Sequence, residues 1–218
     1  MIYLLLQTIA VARRHISSTN TLFCHGWYQI LDLIIHGNHN LPPMDNQPRI
    51  WAEKVNNMLA NNLHSPYGPF WGPHFVQIYS PDFNFDKAGF KTYRLVEQRL
   101  PGLKSIFQLG GVGSVGMQSL YGISKLAQLI RFCRHHEIPL HCWPFNGWEI
   151  PKNKHLLVEI YPALYNKGPK SDVSDAMAST AWFLEKVSTN SLIDILSPDL
   201  TYQERSVASI EGWVAGVC

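Results

Sequence analysis

Apolar side chains recur at helical spacing in several parts of the chain. Residues 27, 30, 31, 34 and 35 are apolar and form one stripe of a helix, and a second stripe predicts a helix over residues 50–63. The pattern over residues 172–187 (DVSDAMASTAWFLEKV) predicts the best-defined helix. Two further helices are predicted, one that Ser124 caps and that runs to about residue 136, and a short one within residues 207–218.

Three short apolar segments have the composition of strands. Residues 155–161 (HLLVEIY) form the best candidate, which Pro162 ends, and residues 105–109 and 139–145 are further candidates. Residues 65–81, rich in proline and aromatic side chains, are expected to be irregular but packed. Because strands alternate with helices in the second half, the sequence predicts an α/β architecture.

Composition limits the function classes only broadly. The chain has 218 residues, of which 46% are hydrophobic and 16% charged, so it is long and apolar enough for a packed core. Its formal net charge is +2, which excludes a strongly basic nucleic-acid coat protein and an acidic tail protein. A local basic patch that binds phosphate remains compatible with this charge.

The cysteines and the N-terminus predict a cytoplasmic protein with no membrane partner. Four cysteines without a C-x-x-C pair do not form a disulfide framework. Residues 1–12 are an apolar run, but the positive charges follow it instead of preceding it, which is the wrong order for a signal peptide. The run is also too short to cross a bilayer as a helix. We expect a core or partner-facing segment, or a stretch without a native role that a displaced start has produced.

A glycine motif allows one alternative function. Gly111, Gly113 and Gly116 form G-x-G-x-x-G between a predicted strand and a predicted helix, a turn that lets a pyrophosphate approach backbone N–H groups. A dinucleotide fold also needs an acidic residue that ends the second strand, whereas Glu137 precedes the next candidate strand. A tight structural turn is therefore the favoured interpretation, and nucleotide binding is the alternative.

A cluster of cysteine and histidine residues has the ligand types of a zinc site but not the spacing. Its members lie within ten residues: Cys133, His135, His136, His141 and Cys142. The spacing matches none of the usual paired zinc-ligand patterns. His135 and His136 lie at a predicted helix end, where the helix dipole favours a cation, so a metal site is not the favoured interpretation.

Three carboxylates form the candidate metal and catalytic site. Glu159 lies near the end of the apolar segment 155–161, where a carboxylate loses solvation unless it is paired, metal-bound or on an exposed edge. Asp172 and Asp175 lie three residues apart at a helix start and share one helical face. Carboxylates from a strand end and a helix start can converge on Mg²⁺. The alternative is structural: Glu159 faces water, Asp172 is an N-cap, and Asp175 lies near N3.

Several short motifs occur in one order over residues 27–218. They are Gly68 to Gly72, Tyr93-Arg94-x-x-Glu97, Lys104 to Leu109, Gly113 to Gly116, Gly122-Ile123, Trp143 to Phe145, Glu159 to Pro162, Asp172 to Ala176, and Glu211 to Trp213. In this order the chain resembles a bacterial family of uncharacterised proteins described as predicted nucleases with an RNase H-like fold. The D-x-x-D-A sequence also looks like the last acidic element of bacterial Holliday-junction resolvases, a related branch.

The resemblance implies a fold and an activity. The fold would be an RNase H-like mixed sheet flanked by helices. The activity would be phosphodiester hydrolysis with Mg²⁺, for which Mn²⁺ can substitute, held by Glu159, Asp172 and Asp175. Nucleic acid would then be the partner, with DNA and RNA both open.

The N-terminal segment departs from the family. Relatives begin with a strand that carries an Asp, whereas residues 1–26 contain no Asp or Glu and the first carboxylate is Asp32. We therefore expect a truncated member that lacks the N-terminal strands, with an atypical segment over residues 1–26 and a single incomplete domain over residues 27–218. A missing first acid would weaken catalysis. A non-catalytic interaction module is thus the alternative, and an exposed sheet edge would favour a homo-oligomer.

Overall fold

The computed structural model describes residues 27–37, 41–63, 68–72, 91–100, 102–169 and 171–218. Its regular elements, in chain order, are α1 (Trp27–His36), α2 (Pro48–Leu63), α3 (Leu95–Arg99), α4 (Gly116–His135), β1 (Leu140–Cys142), β2 (His155–Leu157), a 3-10 helix (Pro162–Leu164), α5 (Asp172–Ser188), α6 (Leu192–Ile195) and α7 (Tyr202–Glu211). The predicted helices over residues 27–35, 50–63 and 172–187 are confirmed. The atypical segment 1–26 lies outside the described residues.

The chain divides into two compact units, residues 1–138 and residues 139–218. Helices α1 to α4 belong to the first unit, and the remaining elements belong to the second. The expectation of a single incomplete domain over residues 27–218 stays a prediction.

The core of the first unit forms where α1 and α2 pack against α4. Trp51, Phe70 and Phe107 are its largest fully buried side chains. Asn56 of α2 holds the aromatic segment in place, because its amide donates to Phe70 O at 2.8 Å and its Oδ1 accepts from Phe70 N at 2.9 Å. The prediction of a packed aromatic segment is thus confirmed for residues 68–72, and the rest of 65–81 lies outside the described residues.

A buried ion pair begins α3 at the Tyr93-Arg94-x-x-Glu97 motif. Glu97 Oε1 accepts from Arg94 Nε at 2.8 Å, and Glu97 Oε2 accepts from the Arg94 backbone N–H at 2.9 Å. The side chains of both residues are almost fully buried. The carboxylate therefore satisfies both the buried guanidinium and the backbone N–H of Arg94 at the helix start.

Two predictions in the first unit are wrong. The predicted strand at residues 105–109 is a turn with one parallel bridge between Gln108 and Trp71. The helix that Ser124 was expected to cap begins at Gly116, so Ser124 is a buried residue inside α4. Gly116 permits this early start because its N–H donates to Gln108 O at 3.0 Å and it has no side chain to separate the two segments.

A small parallel sheet organises the second unit. Leu140, His141 and Cys142 of β1 pair with His155, Leu156 and Leu157 of β2. The strand predicted over residues 155–161 is therefore shorter than expected. Beyond its end, Glu159 forms one isolated parallel bridge with Val214. Helices combined with parallel strands confirm the α/β class. In the described part of the chain no helix is long and apolar enough to cross a membrane.

Candidate functional site

Helix α5 places Asp172 and Asp175 in its first turn, and Ser171 is the residue that caps it. Ser171 Oγ accepts from Ser174 N at 3.2 Å, so the interpretation of Asp172 as the N-cap is wrong. Asp172 is the first helical residue and is exposed, whereas Asp175 is half-buried. Ser171 Oγ thus accepts from one of the first backbone N–H groups of α5, and neither aspartate side chain is needed as the cap.

Asn166 orients the carboxylate of Asp175. Its Nδ2 donates to Asp175 Oδ1 at 2.6 Å and to Pro169 O at 3.1 Å. Its Oδ1 accepts from Gly168 N at 2.8 Å and from Ser174 Oγ at 3.1 Å. Because the asparagine is fixed by its own loop and by α5, the carboxylate of Asp175 has one preferred orientation.

Glu159 lies two residues beyond the end of β2. It is exposed, and its backbone carbonyl accepts from Ala215 N at 2.9 Å. The regular pairing ends at Leu157, so Glu159 lies outside the strand in which the sequence placed it.

Ala215 connects the position of Glu159 to α5. While its N–H donates to Glu159, its carbonyl accepts from Tyr165 Oη at 2.7 Å. The ring of Tyr165 stacks on Trp182 of α5, with 4.0 Å between the ring centroids. Because Tyr165 directly precedes Asn166 in the chain, a series of hydrogen bonds and one peptide bond connects the backbone of Glu159 to the carboxylate of Asp175.

The environment of Tyr165 predicts a dependence of stability on alkaline pH. Burial raises the pKa of the Tyr165 phenol from 10.0 to about 12. The folded state therefore keeps the proton that the unfolded state loses, and the stability from this residue is complete below pH 10 and declines between pH 10 and about 12. Over this interval we expect urea unfolding to show a steeper loss of stability for the wild type than for Tyr165→Phe. The prediction would be wrong if the wild type and Tyr165→Phe lost stability equally steeply over this pH interval.

An open groove lies beside this network, between the loop of residues 166–169 and the first turns of α5. Its volume is about 510 Å³. Asn166, Lys167 and Ser171 supply polar groups, and Val173 and Met177 supply an apolar wall. The groove therefore offers a cation and hydrogen-bonding groups next to the residue that orients Asp175.

The candidate metal ligands all belong to the second unit. Among the residues that the structure describes, no group of three or more His, Cys, Asp or Glu side chains is arranged to hold a metal ion. This applies to Glu159, Asp172 and Asp175 and to the described cysteine and histidine cluster alike. In that cluster, His141 lies 3.0 Å from Gly147 O through its Nε2, a contact that satisfies the buried ring.

The glycine motif forms the expected tight turn. Gly111 and Gly113 have positive φ angles of 96° and 72°, and the N–H of Gly116 is already bonded to Gln108 O. A Cβ at Gly116 would overlap Ile106 O and lie 2.5 Å from Gln108 O, so this glycine is required for packing. The nucleotide-binding alternative stays a prediction. The N–H of Gly116 at the helix N-terminus would not be available to a pyrophosphate, because it donates to Gln108 O.

The outer face of α5 carries exposed apolar side chains. Val173, Met177, Leu184 and Val187 are exposed by 70%, 69%, 60% and 50%. The opposite face carries Ser179, which is buried, and Trp182, which stacks on Tyr165. The helix thus contacts its own unit through the face that carries Ser179 and Trp182.

Comparisons of the chain with protein-family models, with curated proteins and with solved structures found no match.

Sequence reasoning did not identify Asn166 and Ser174 as parts of the site. The composition of residues 166–170 (NKGPK) indicates only a turn, whereas in the structure Asn166 contacts both Asp175 and Ser174. An asparagine two residues before a glycine is a signal for a side chain that bonds its own loop, since Asn166 Oδ1 accepts from Gly168 N. The bond to Asp175 depends on where α5 begins in space and has no local signal.

Proposed function

We propose that this protein is a Mg²⁺-dependent phosphodiester hydrolase of RNase H-like type. Glu159, Asp172 and Asp175 provide the carboxylates of its site, and nucleic acid is its substrate. The observation that carries the proposal is the 2.6 Å hydrogen bond by which Asn166 orients the half-buried Asp175. Outer contacts of this kind orient a ligating carboxylate.

The donor chemistry of these residues suits Mg²⁺. Carboxylate oxygens are the ligands that this hard cation prefers, and it is commonly held by one or two carboxylates together with water. The proposal therefore does not require all three acids on one ion. When bound, Mg²⁺ would supply an activated water and charge stabilisation at phosphorus.

The residues of this chain would have separate parts in the reaction. Asp172 and Asp175 lie in the first turn of α5 and would provide ligand oxygens for the metal ion. Asn166 is a positioning residue, because it acts through Asp175. Lys167, on the adjacent groove, would contact a phosphate group of the substrate.

Metal binding by single variants tests the proposal. We expect Mn²⁺ to raise the thermal stability of the wild type, and Asp175→Asn to abolish most of this shift because it removes a charged ligand. Asn166→Ala should weaken Mn²⁺ binding by about 10-fold to 100-fold, as loss of an outer contact does. Asp172→Asn and Glu159→Gln report whether each of the other acids takes part. Isothermal titration with Mn²⁺ and cleavage of labelled DNA and RNA are the measurements.

Asp194→Asn is the matched control, since Asp194 is an exposed aspartate in the first turn of another helix of the same unit, α6. It should bind Mn²⁺ like the wild type. Equal Mn²⁺ binding by all variants and the control would overturn the proposed site, as would the absence of binding by the wild type.

A second candidate function is a non-catalytic interaction module on the same scaffold. The exposed apolar side chains of α5 favour it, because an apolar helix face in water is typical of a surface that binds another protein. Val173 and Met177 belong both to this face and to the groove of the proposed site, whereas Leu184 and Val187 do not line the groove, so substitutions at the latter two test docking separately.

A further inference from the structure

A concave pocket lies between α1 and α4 of the first unit. The two helices pack against each other, and side chains from both of them line a volume of about 260 Å³. This is slightly below the about 300–1,000 Å³ that is typical of ligand sites, so the pocket suits a small molecule. The carboxylates of the proposed metal site belong to the second unit and do not line this pocket.

Part of the lining is apolar. Leu31 of α1 and Ala127 and Ile130 of α4 line the pocket and are buried, and Ile35 of α1 lines it and is half-buried. An apolar group of a ligand that contacted these side chains would be removed from water, which favours binding. The lining is therefore suited to a molecule with an apolar part.

Two arginines of α4 also line the pocket. Arg131 and Arg134 are three residues apart, so they lie on the same side of the helix. No Asp or Glu occurs in α4, and the guanidinium of Arg134 lies 4.2 Å from the centre of the Tyr28 ring, a contact that limits its orientation. Guanidinium groups bind carboxylates through paired hydrogen bonds, so this side of the pocket is suited to a carboxylate group.

An acidic residue lines the same pocket. Asp32 of α1 is exposed, and within the part of the chain that the structure describes neither its carboxylate nor the guanidinium of Arg131 forms a hydrogen bond or an ion pair. The two opposite charges of the pocket are therefore not paired with each other. A simple anion would be repelled by Asp32 and a simple cation by the arginines, whereas a molecule that carries both charges is attracted by both sides.

We propose that the pocket between α1 and α4 binds a small zwitterion with an apolar side chain, of the class of a free amino acid. Arg131 and Arg134 hold its carboxylate, Asp32 holds its ammonium group, and the apolar lining contacts its side chain. The proposal goes beyond the hydrolase function and uses none of its residues. Because a ligand of about ten non-hydrogen atoms binds an open pocket weakly, we expect a Kd of about 0.1–10 mM.

Titration of the full chain with L-leucine tests the proposal, with amide NMR shifts as the measurement. Isocaproate has the same carbon skeleton without the ammonium group, and isoamylamine lacks the carboxylate. L-leucine should bind at least about 10-fold tighter than either compound, because only the zwitterion contacts both charged sides of the pocket. His36 also lines the pocket, so the titrations are made at about pH 8, where imidazole is ordinarily neutral.

Charge variants assign the two ends of the ligand. Arg131→Gln and Asp32→Asn should each weaken the binding of L-leucine at least about 10-fold. Asp32→Asn should also strengthen the binding of isocaproate, because it removes a repulsive charge, and a merely structural role of Asp32 would not have this effect. Since Arg131 and Asp32 are exposed, both variants should fold, which circular dichroism confirms.

Lys125→Gln is the matched control for Arg131→Gln. Lys125 is an exposed cation of the same helix that does not line the pocket, and its Nζ donates to Gln128 Oε1 at 3.3 Å. The variant changes the net charge by the same amount as Arg131→Gln and should bind L-leucine like the wild type.

The remaining outcomes overturn the proposal. No saturable binding of L-leucine up to about 50 mM would show that the pocket is not a site for such a molecule. Isocaproate that binds the wild type as tightly as L-leucine would exclude the part of Asp32. Equal L-leucine binding by Arg131→Gln, Asp32→Asn and Lys125→Gln would place the ligand elsewhere. None of these results bears on the metal site, whose test uses Mn²⁺ and residues of the second unit.

Discussion

Gly116→Ala is expected to lower the free energy of unfolding by about 3 kcal/mol. The new Cβ would overlap Ile106 O and lie 2.5 Å from Gln108 O and 2.6 Å from Leu109 Cδ2. Two of these atoms belong to backbone that α4 contacts closely, so the clash cannot be relieved by rotating a side chain. Moving the segment would also strain the hydrogen bond from Gly116 N to Gln108 O. Urea unfolding measures the loss.

Gly122→Ala on the same helix is the control for this prediction. Nothing lies within 4 Å of a Cβ at Gly122, so alanine there adds helix propensity without a clash. We expect Gly122→Ala to raise the free energy of unfolding by about 1 kcal/mol. Two glycine-to-alanine changes in α4 should therefore have opposite signs, and a stabilising Gly116→Ala would show that α4 does not begin against residues 106–109.

Trp213→Ala should cost about 3–5 kcal/mol of stability in the second unit. The side chain of Trp213 is fully buried, and its Nε1 donates to Val217 O at 3.0 Å. Alanine leaves a cavity and removes the hydrogen-bond donor of a buried carbonyl group. Because Trp213 adjoins Val214 and Ala215, which bond the segment at Glu159, the loss should also disturb the candidate site. Thermal unfolding and hydrogen exchange at residues 157–159 measure the two effects.

Trp213→Phe separates the two causes. Phenylalanine keeps most of the buried apolar volume but cannot donate to Val217 O, so its cost should be about 1–3 kcal/mol. Equal losses for the alanine and phenylalanine variants would mean that the hydrogen bond, and not the ring volume, dominates the contribution of Trp213.

The candidate site shows where sequence reasoning succeeds. Asp172 and Asp175 were placed at the start of a helix because the apolar spacing after them is helical, and α5 does begin at Asp172. Capping was less predictable, since Ser171, Asp172 and Asp175 all have oxygen atoms that can accept from the first N–H groups. The backbone at residue 171 decides among them, because its extended conformation directs Ser171 Oγ at Ser174 N.

The strands show where sequence reasoning fails. Residues 105–109 have the composition of a strand, yet they pair with another segment at Gln108 alone. Residues 155–161 form a shorter strand than predicted, because β1 pairs only as far as Leu157. A strand needs a partner distant in sequence, so its length is not a property of its own residues.

Three helices, the glycine turn and the α/β class can be predicted from local patterns, because helical periodicity and glycine conformation act over a few neighbouring residues. The start of α4 at Gly116, the position of Glu159 outside the regular strand and the contact of Asn166 with Asp175 appear only in the folded chain. The same is true of which face of α5 packs on the protein and which is exposed. These features depend on contacts between segments that are distant along the chain, and local patterns do not encode such contacts.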